Sequence, residues 1–185
     1  MIGSAHATCE NKPGIACILG TGSNSCYFDG TAIYEEVPAL AYILGDEGSG
    51  SFYGKRLLAD FLYKRLPASI YETLKNDYNL NKDKILQNTY FEKNANVYLA
   101  SFAKVLHQHK NEKYVQNIVA FGMHTFLDIH VKCYKNYQEV PVHFVGSIAF
   151  HFRDILKNEC SKLNIKLGNI VQKPIEKLAV HHSKS

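Results

Sequence analysis

The sequence is short of long apolar runs, of paired cysteines and of clustered charge, and each shortage removes a class of protein. Its longest uncharged apolar stretch, residues 37–44, is eight residues long, against the roughly 20 needed to span a bilayer, so no membrane partner is expected. The first dozen residues contain Glu10 and Lys12 and no apolar core of about 7–15 residues, so no secretory signal is visible and a cytoplasmic setting is the expectation. The five cysteines, Cys9, Cys17, Cys26, Cys133 and Cys160, are odd in number and form no CxxC pair. That pattern argues against a disulfide framework, a zinc ribbon or a thioredoxin-like centre and for reduced, mostly buried thiols. Lys and Arg number 21 against 17 Asp and Glu, a net charge of +4. With no run of five or six basic residues, nucleic acid is not an expected partner. The histidines lack the HExxH spacing of a zinc helix: His107 and His109 are two apart, His124 and His130 six apart, and His181 and His182 lie near the polar C-terminal end. No metal site is expected from them.

What is present suits a folded domain. Hydrophobic residues are 46% and charged residues 21% of 185, a balance that buries a core. No internal repeat stands out. Residues 15–19, 25–28 and 31–34 read as short strands, with Asp29-Gly30 as a two-residue hairpin turn. Residues 51–66 read as a helix, with Phe52, Leu57, Leu58, Phe61, Leu62 and Leu66 on one side, Arg56, Asp60 and Lys64 as a solvated stripe, and Pro67 as its end. Two or three more helices are expected between 69 and 106. The longest should follow Asn111 as N-cap and bury Tyr114, Ile118, Phe121, Gly122, Thr125, Phe126, Ile129 and Cys133 along one face. A strand at 140–145, a helix at 148–160 and a last strand at 163–167 complete the pattern. The whole reads as one α/β domain: a β-hairpin region at about 14–36, a helical insertion at about 51–135, and a returning β-turn-helix unit at about 140–170.

Three segments bear on chemistry. Gly20-Thr21-Gly22-Ser23-Asn24-Ser25 follows an apolar strand, and its glycines let backbone N–H groups face a common point, as an anion requires. No Gly-Lys-Ser/Thr follows, so it is no Walker A loop, and Ser25 stands in the third glycine slot of a Rossmann fingerprint. A plain glycine-rich hairpin turn is the competing reading. Leu44-Gly45-Asp46-Glu47-Gly48-Ser49-Gly50-Ser51 sets two carboxylates among bare backbone, which suits a polyol such as a sugar. Acidic capping of the following helix would explain the same residues. Val142-His143-Phe144-Val145-Gly146-Ser147 runs a strand into a glycine turn and a helix, a surface on which a base or ribose can lie. His143 and His151 lie near this turn, and neither is expected to act as a base.

In the order strand-GTGSN-strand, LGDEGS-helix, helical insertion, FVGS-helix, the chain resembles the C-terminal lobe of N-acetylglucosamine kinases and the related BadF/BadG/BcrA/BcrD-type ATPases. These belong to the superfamily of sugar kinases, actin and heat-shock chaperones. The resemblance covers nearly the whole chain and implies a ribonuclease-H-like lobe that binds ATP. It matches Gly20, Thr21, Gly22 and Ser23 to a phosphate-binding motif and Gly146 and Ser147 to an adenosine motif. Asn24 and Asp46, with Glu47 beside them, match positions that hold the acetylated amino sugar. The family's first phosphate motif, a DxGxTxT-like hairpin that positions Mg²⁺, occurs nowhere here, so an N-terminal lobe is expected to be absent. The family's catalytic Asp lies just ahead of the segment that residues 1–7 resemble, so no residue of this chain is matched to it. Leu40 stands near where some of the kinases place an aromatic residue against the sugar.

The implied activity is phosphoryl transfer from ATP to a sugar hydroxyl, with little of it expected from these 185 residues alone. Alternatives are a non-catalytic sugar- or nucleotide-binding domain derived from the fold and an activator ATPase, whose iron-sulfur cluster would need thiolates that the cysteine spacing does not supply. Apolar surface exposed by the lost lobe would favour a homodimer.

Overall fold

The structure, a computed structural model, describes residues 1–9 and 12–172. The elements are, in order, α1 (Ile2–Cys9), β1 (Gly14–Leu19), β2 (Ser23–Phe28), β3 (Ile33–Tyr34), α2 (Ala41–Leu44), α3 (Gly50–Leu62), α4 (Ala68–Glu72), α5 (Lys82–Leu86), α6 (Ala95–Ser101), α7 (Ala103–Gln108), α8 (Lys113–His130), β4 (Val142–Val145), α9 (Ser147–His151), α10 (Arg153–Lys162) and β5 (Leu167–Val171). Five strands form one sheet in the order β3-β2-β1-β4-β5. β1 pairs antiparallel with β2 and parallel with β4, and β4 runs parallel to β5. The mixed sheet with flanking helices is the expected α/β, ribonuclease-H-like lobe.

β1 is central and buried along almost its whole length, which is why GIACIL reads as a continuous apolar run instead of an alternating one. The strand's period of two still divides its side chains. Ile15, Cys17 and Leu19 enter the main core with Tyr53, Phe126 and Phe144, while Ala16 joins Ala5, Cys9, Cys26 and Phe28 on the opposite face. That second face is roofed by α1, whose small side chains let it lie close to the sheet. Its sequence carries no strong apolar periodicity, and the strand-and-helix pattern above passes over it.

Several boundaries differ from the sequence reading. The β2–β3 connection is a four-residue turn, with Phe28 opposite Ile33; Asp29 Oδ1 accepts from the Thr31 and Ala32 amides at 2.7 and 2.8 Å, and Gly30 takes φ 106°. β2 starts at Ser23 instead of 25, and β3 spans only two residues. α3 stops at Leu62, ahead of Pro67, because Lys64 turns into the left-handed region at φ 57°. Asp60 is not free in solvent, since it accepts the Tyr114 hydroxyl at 2.7 Å, and Arg56 lies 5.5 Å from the Phe121 ring centre. Four helices, α4 to α7, occupy the region where two or three were expected, with π-helical turns at Thr73–Asp77 and Gln87–Phe91.

In α8 the N-cap position is Glu112 and not Asn111. The buried face is Val115, Val119, Gly122, Met123, Phe126, Leu127 and His130, while Phe121 and Ile129 are exposed. The helix carries two neighbouring apolar stripes, and its partner selects between them: a Cβ at Gly122 would lie 2.5 Å from the Tyr53 ring. The expected helix at 148–160 is two helices broken at Phe152, β4 begins at Val142, and the last strand starts at Leu167 instead of 163. Among the described residues no helix is long and apolar enough to cross a membrane.

Candidate functional site

β1 and β4 run parallel as neighbours, so the turns after their C-terminal ends adjoin. Residues 20–22 form the turn from β1 into β2, with Leu19 opposite Ser23. Inside it the Gly20 amide donates to Gly22 O at 3.0 Å. The carbonyls of Gly20 and Thr21 point the other way, accepting from the Gly50 and Ser51 amides at the start of α3 at 2.7 and 3.0 Å. The Thr21 and Gly22 amides have no acceptor among the described residues, and a Cβ on Gly20 would meet nothing within 4 Å. Unpaired amide N–H groups on bare backbone are the donors an anionic group needs.

Gly146 abuts this turn. Its φ is 126°, and a Cβ there would stand 2.2 Å from Leu19 O, so only glycine allows the two turns to meet. Its amide donates to Val171 O at 2.9 Å, tying the turn to β5. Ser147 is exposed and opens α9.

The Asp46 carboxylate is directed at the same turn. Oδ1 accepts from the Ser23 amide at 3.0 Å, and Oδ2 lies 3.4 Å from the Ser51 hydroxyl, which in turn is 3.0 Å from Ser49 Oγ. A Cβ on Gly22 would sit 2.8 Å from Asp46 Oδ1, so a bare residue at 22 is a condition of the contact. The N-cap of α3 is Ser49, which accepts from the Phe52 amide at 3.2 Å. The side chain that caps α3 is thus Ser49 and neither of the two carboxylates.

Glu47 turns away toward α8, where Oε2 lies 3.2 Å from His130 Nε2. His130 is buried and stacked on Phe126 with ring centres 5.0 Å apart, and its carbonyl accepts the Ser25 hydroxyl at 2.6 Å. Asn24 Oδ1 accepts from the next amide, Ser25, at 2.8 Å. Lys55, one turn into α3, donates to Tyr42 O. Burial lowers its pKa, and the charges of Asp46 and Glu47 work in the opposite direction.

The structure thus brings Gly20, Thr21, Gly22, Ser23, Asp46 and Gly146 to one corner, with Ser147 beside it. Asn24 is one step along β2, and Glu47 is held from behind by His130. Sequence reasoning gave no role to Ser49, Ser51, Lys55 or His130. Ser49 carried a usable signal as a serine preceding an amphipathic helix. His130 carried none, being 83 positions from Glu47. His143 binds β5, accepting from the Asn169 amide at 2.9 Å. Among the described residues no group of three or more His, Cys, Asp or Glu side chains could hold a metal ion; His181 and His182 lie outside them.

No family model and no curated protein matches the sequence. Among solved structures, the chain is similar to a candidate N-acetylglucosamine kinase from Porphyromonas gingivalis, with 38% identity and a TM-score of 0.93, over 99% of this chain and 64% of that one. It is also similar to a candidate N-acetylglucosamine kinase from Chromobacterium violaceum, with 15% identity and a TM-score of 0.74, over 95% of this chain and 61% of that one. The second likeness shows the fold alone. The chain spans less than two thirds of either protein's length.

Proposed function

Because the chain is homologous to the first of these proteins and belongs with it to the BadF/BadG family of the actin and heat-shock-chaperone ATPase superfamily, we propose that it forms part of an ATP-dependent amino-sugar kinase. The observation that carries this reading is the corner itself, where unpaired amides at Thr21 and Gly22 open next to the Asp46 carboxylate. Gly20, Thr21, Gly22 and Ser23 would receive the phosphates of ATP, and Gly146 with Ser147 would border the adenosine. Asn24 and Asp46 would accept sugar hydroxyl or amide protons, with Glu47 beside them and tied to His130. Phosphoryl transfer rests on placing phosphates and offsetting their charge, work that Mg²⁺ shares when bound. The residues of this chain contribute a backbone cradle to it, and none of them is assigned as the base that takes the hydroxyl proton. Negligible ATP- and sugar-dependent ADP release is expected from the 185 residues by themselves.

Binding tests the assignment without requiring turnover. Calorimetry with ADP and with N-acetylglucosamine should show saturable uptake of each. Asp46→Asn keeps an acceptor for the Ser23 amide, so it should leave ADP binding within about twofold while weakening the sugar roughly tenfold, as loss of a charge-assisted hydrogen bond does. Asp46→Ala removes the acceptor and should weaken both ligands. Unchanged sugar affinity in both variants would return Asp46 to a purely structural part.

The activator-ATPase reading fares poorly on the packing. Cys9, Cys17, Cys26 and Cys160 are buried in the chain's own core, where they are not offered to a cluster shared between subunits.

A further inference from the structure

Asp46 takes φ 59° and Gly48 φ 69°, so Glu47 carries the one side chain between two left-handed backbone positions. Such a conformation persists only where its surroundings enforce it. Little of that comes from the chain ahead, since α2 has no buried residue, or from the Ser51 hydroxyl, 3.4 Å from Asp46 Oδ2. The loop lies instead against α8: a Cβ on Gly48 would stand 3.0 Å from Gly122 O and 3.2 Å from Phe126 Cβ. From there the Glu47 side chain reaches the end of α8, where Oε2 meets His130 Nε2 at 3.2 Å.

His130 is suited to hold it. Its side chain is 5% exposed, its ring is stacked on Phe126 at an interplanar angle of 19°, and its carbonyl accepts from Ser25, the neighbour of Asn24. Nδ1 is buried and has no hydrogen-bond partner among the described residues. A proton there would be an unsatisfied donor, so the proton belongs on Nε2, which donates it to Glu47. One buried residue thus grips the Asp46 loop through its ring and β2 beside Asn24 through its backbone.

We infer that His130 and Glu47 form a latch that positions Asp46, and that neither side chain touches the sugar. His130 is the positioning residue; it acts through Glu47, and Glu47 acts through the backbone of the residue before it. Without the latch Asp46 would face the Ser23 amide in only a fraction of molecules, and the apparent affinity for a sugar would fall by that fraction. The nucleotide would lose less, because the unpaired amides of Thr21 and Gly22 take no contact from Asp46. The inference rests on the amino-sugar reading of the corner and assigns, within it, what holds the carboxylate.

The test is calorimetry of N-acetylglucosamine and of ADP with the full chain. Glu47→Ala and His130→Leu should each weaken the sugar about tenfold and ADP by less than about threefold. The double variant should bind sugar as the single ones do, because both remove the same contact. His130→Gln, whose side-chain amide can donate to the same carboxylate, should regain most of the affinity, which a mere packing role for the ring would not allow. Nitrogen NMR of the histidine-labelled parent should show the Nε2–H tautomer. Sugar affinity unchanged in His130→Leu, equal loss of both ligands, no recovery in His130→Gln, or an Nδ1–H tautomer would overturn the inference. So would additive losses in the double variant, which would mean that Glu47 contacts the sugar itself. Should His130→Leu not fold, Glu47→Ala and the imidazole spectrum decide, and failure of either expectation is fatal. No sugar uptake by the parent chain would fail the kinase reading, and the inference with it; uptake that only the variants leave untouched would sink the inference alone.

Discussion

Asp46 adopts φ 59°, a left-handed conformation that aspartate tolerates better than most side chains but that still costs about 1–2 kcal/mol. The strain is offset by what the conformation delivers, a carboxylate placed against the Ser23 amide and the Ser51 hydroxyl. Gly146 is the stricter case. Gly146→Ala would combine a forbidden φ with an overlap on Leu19 O, and a loss of more than about 3 kcal/mol is expected, read as a fall in the urea midpoint with an unchanged slope. If the Ala variant were as stable as the parent, the close approach of the two turns would be in error. At this scale the glycine turns are visible in the sequence because the glycines cluster locally at the ends of apolar strands; what they make room for is not, since Gly22 faces Asp46, Gly48 faces Gly122 and Gly146 meets Leu19. Ser51 and His130 were hidden because their contacts depend on where α3 and α8 come to lie.

Among the elements, α3 is the organiser. Its buried side carries Tyr53, Leu57, Leu58 and Phe61, and Gly54 lets α6 approach until a Cβ would stand 2.0 Å from Leu99 O. Tyr53 is buried and donates to Val119 O in α8 at 2.9 Å. Tyr53→Phe keeps the ring on Gly122 and removes only the hydroxyl, so a loss of about 1 kcal/mol is expected in equilibrium unfolding. Gly54→Ala should cost more, about 1–3 kcal/mol, because the helices must separate. The apolar period of α3 could be read directly from the sequence. Its early end at Leu62 could not, since the left-handed turn at Lys64 sits on a residue with no preference for it. The face of α8 is ambiguous in the sequence for a similar reason: two stripes satisfy the same period, and Tyr53 decides between them.

For the molecule as a whole, the order of strands, turns and helices suffices to suggest the lobe, because β-hairpin, helical insertion and returning strand-turn-helix appear in the chain as they do in the sheet. The place of β5 was less readable, since its residues are only half-buried and alternate weakly. Burial of the thiols gives the whole fold a pH dependence. Burial raises the pKa of Cys26 and Cys133 to about 11 and of Cys160 to about 12. An unfolded thiol ionises near pH 9, so above that pH the unfolded state binds fewer protons than the native one and stability falls as pH rises. Full stability from these groups is expected below about pH 9, with progressive loss toward 12, to be followed as urea midpoints at pH 7.5, 9 and 10.5. A midpoint that held steady across this range would mean the thiols are open to solvent. The first two amides of α3 are held by the carbonyls of Gly20 and Thr21, which welds the hairpin tip to the head of a long lever. A load placed on the tip would be felt along α3, and the hydrogen exchange of Gly50 and Ser51 would slow before any distant element registered it.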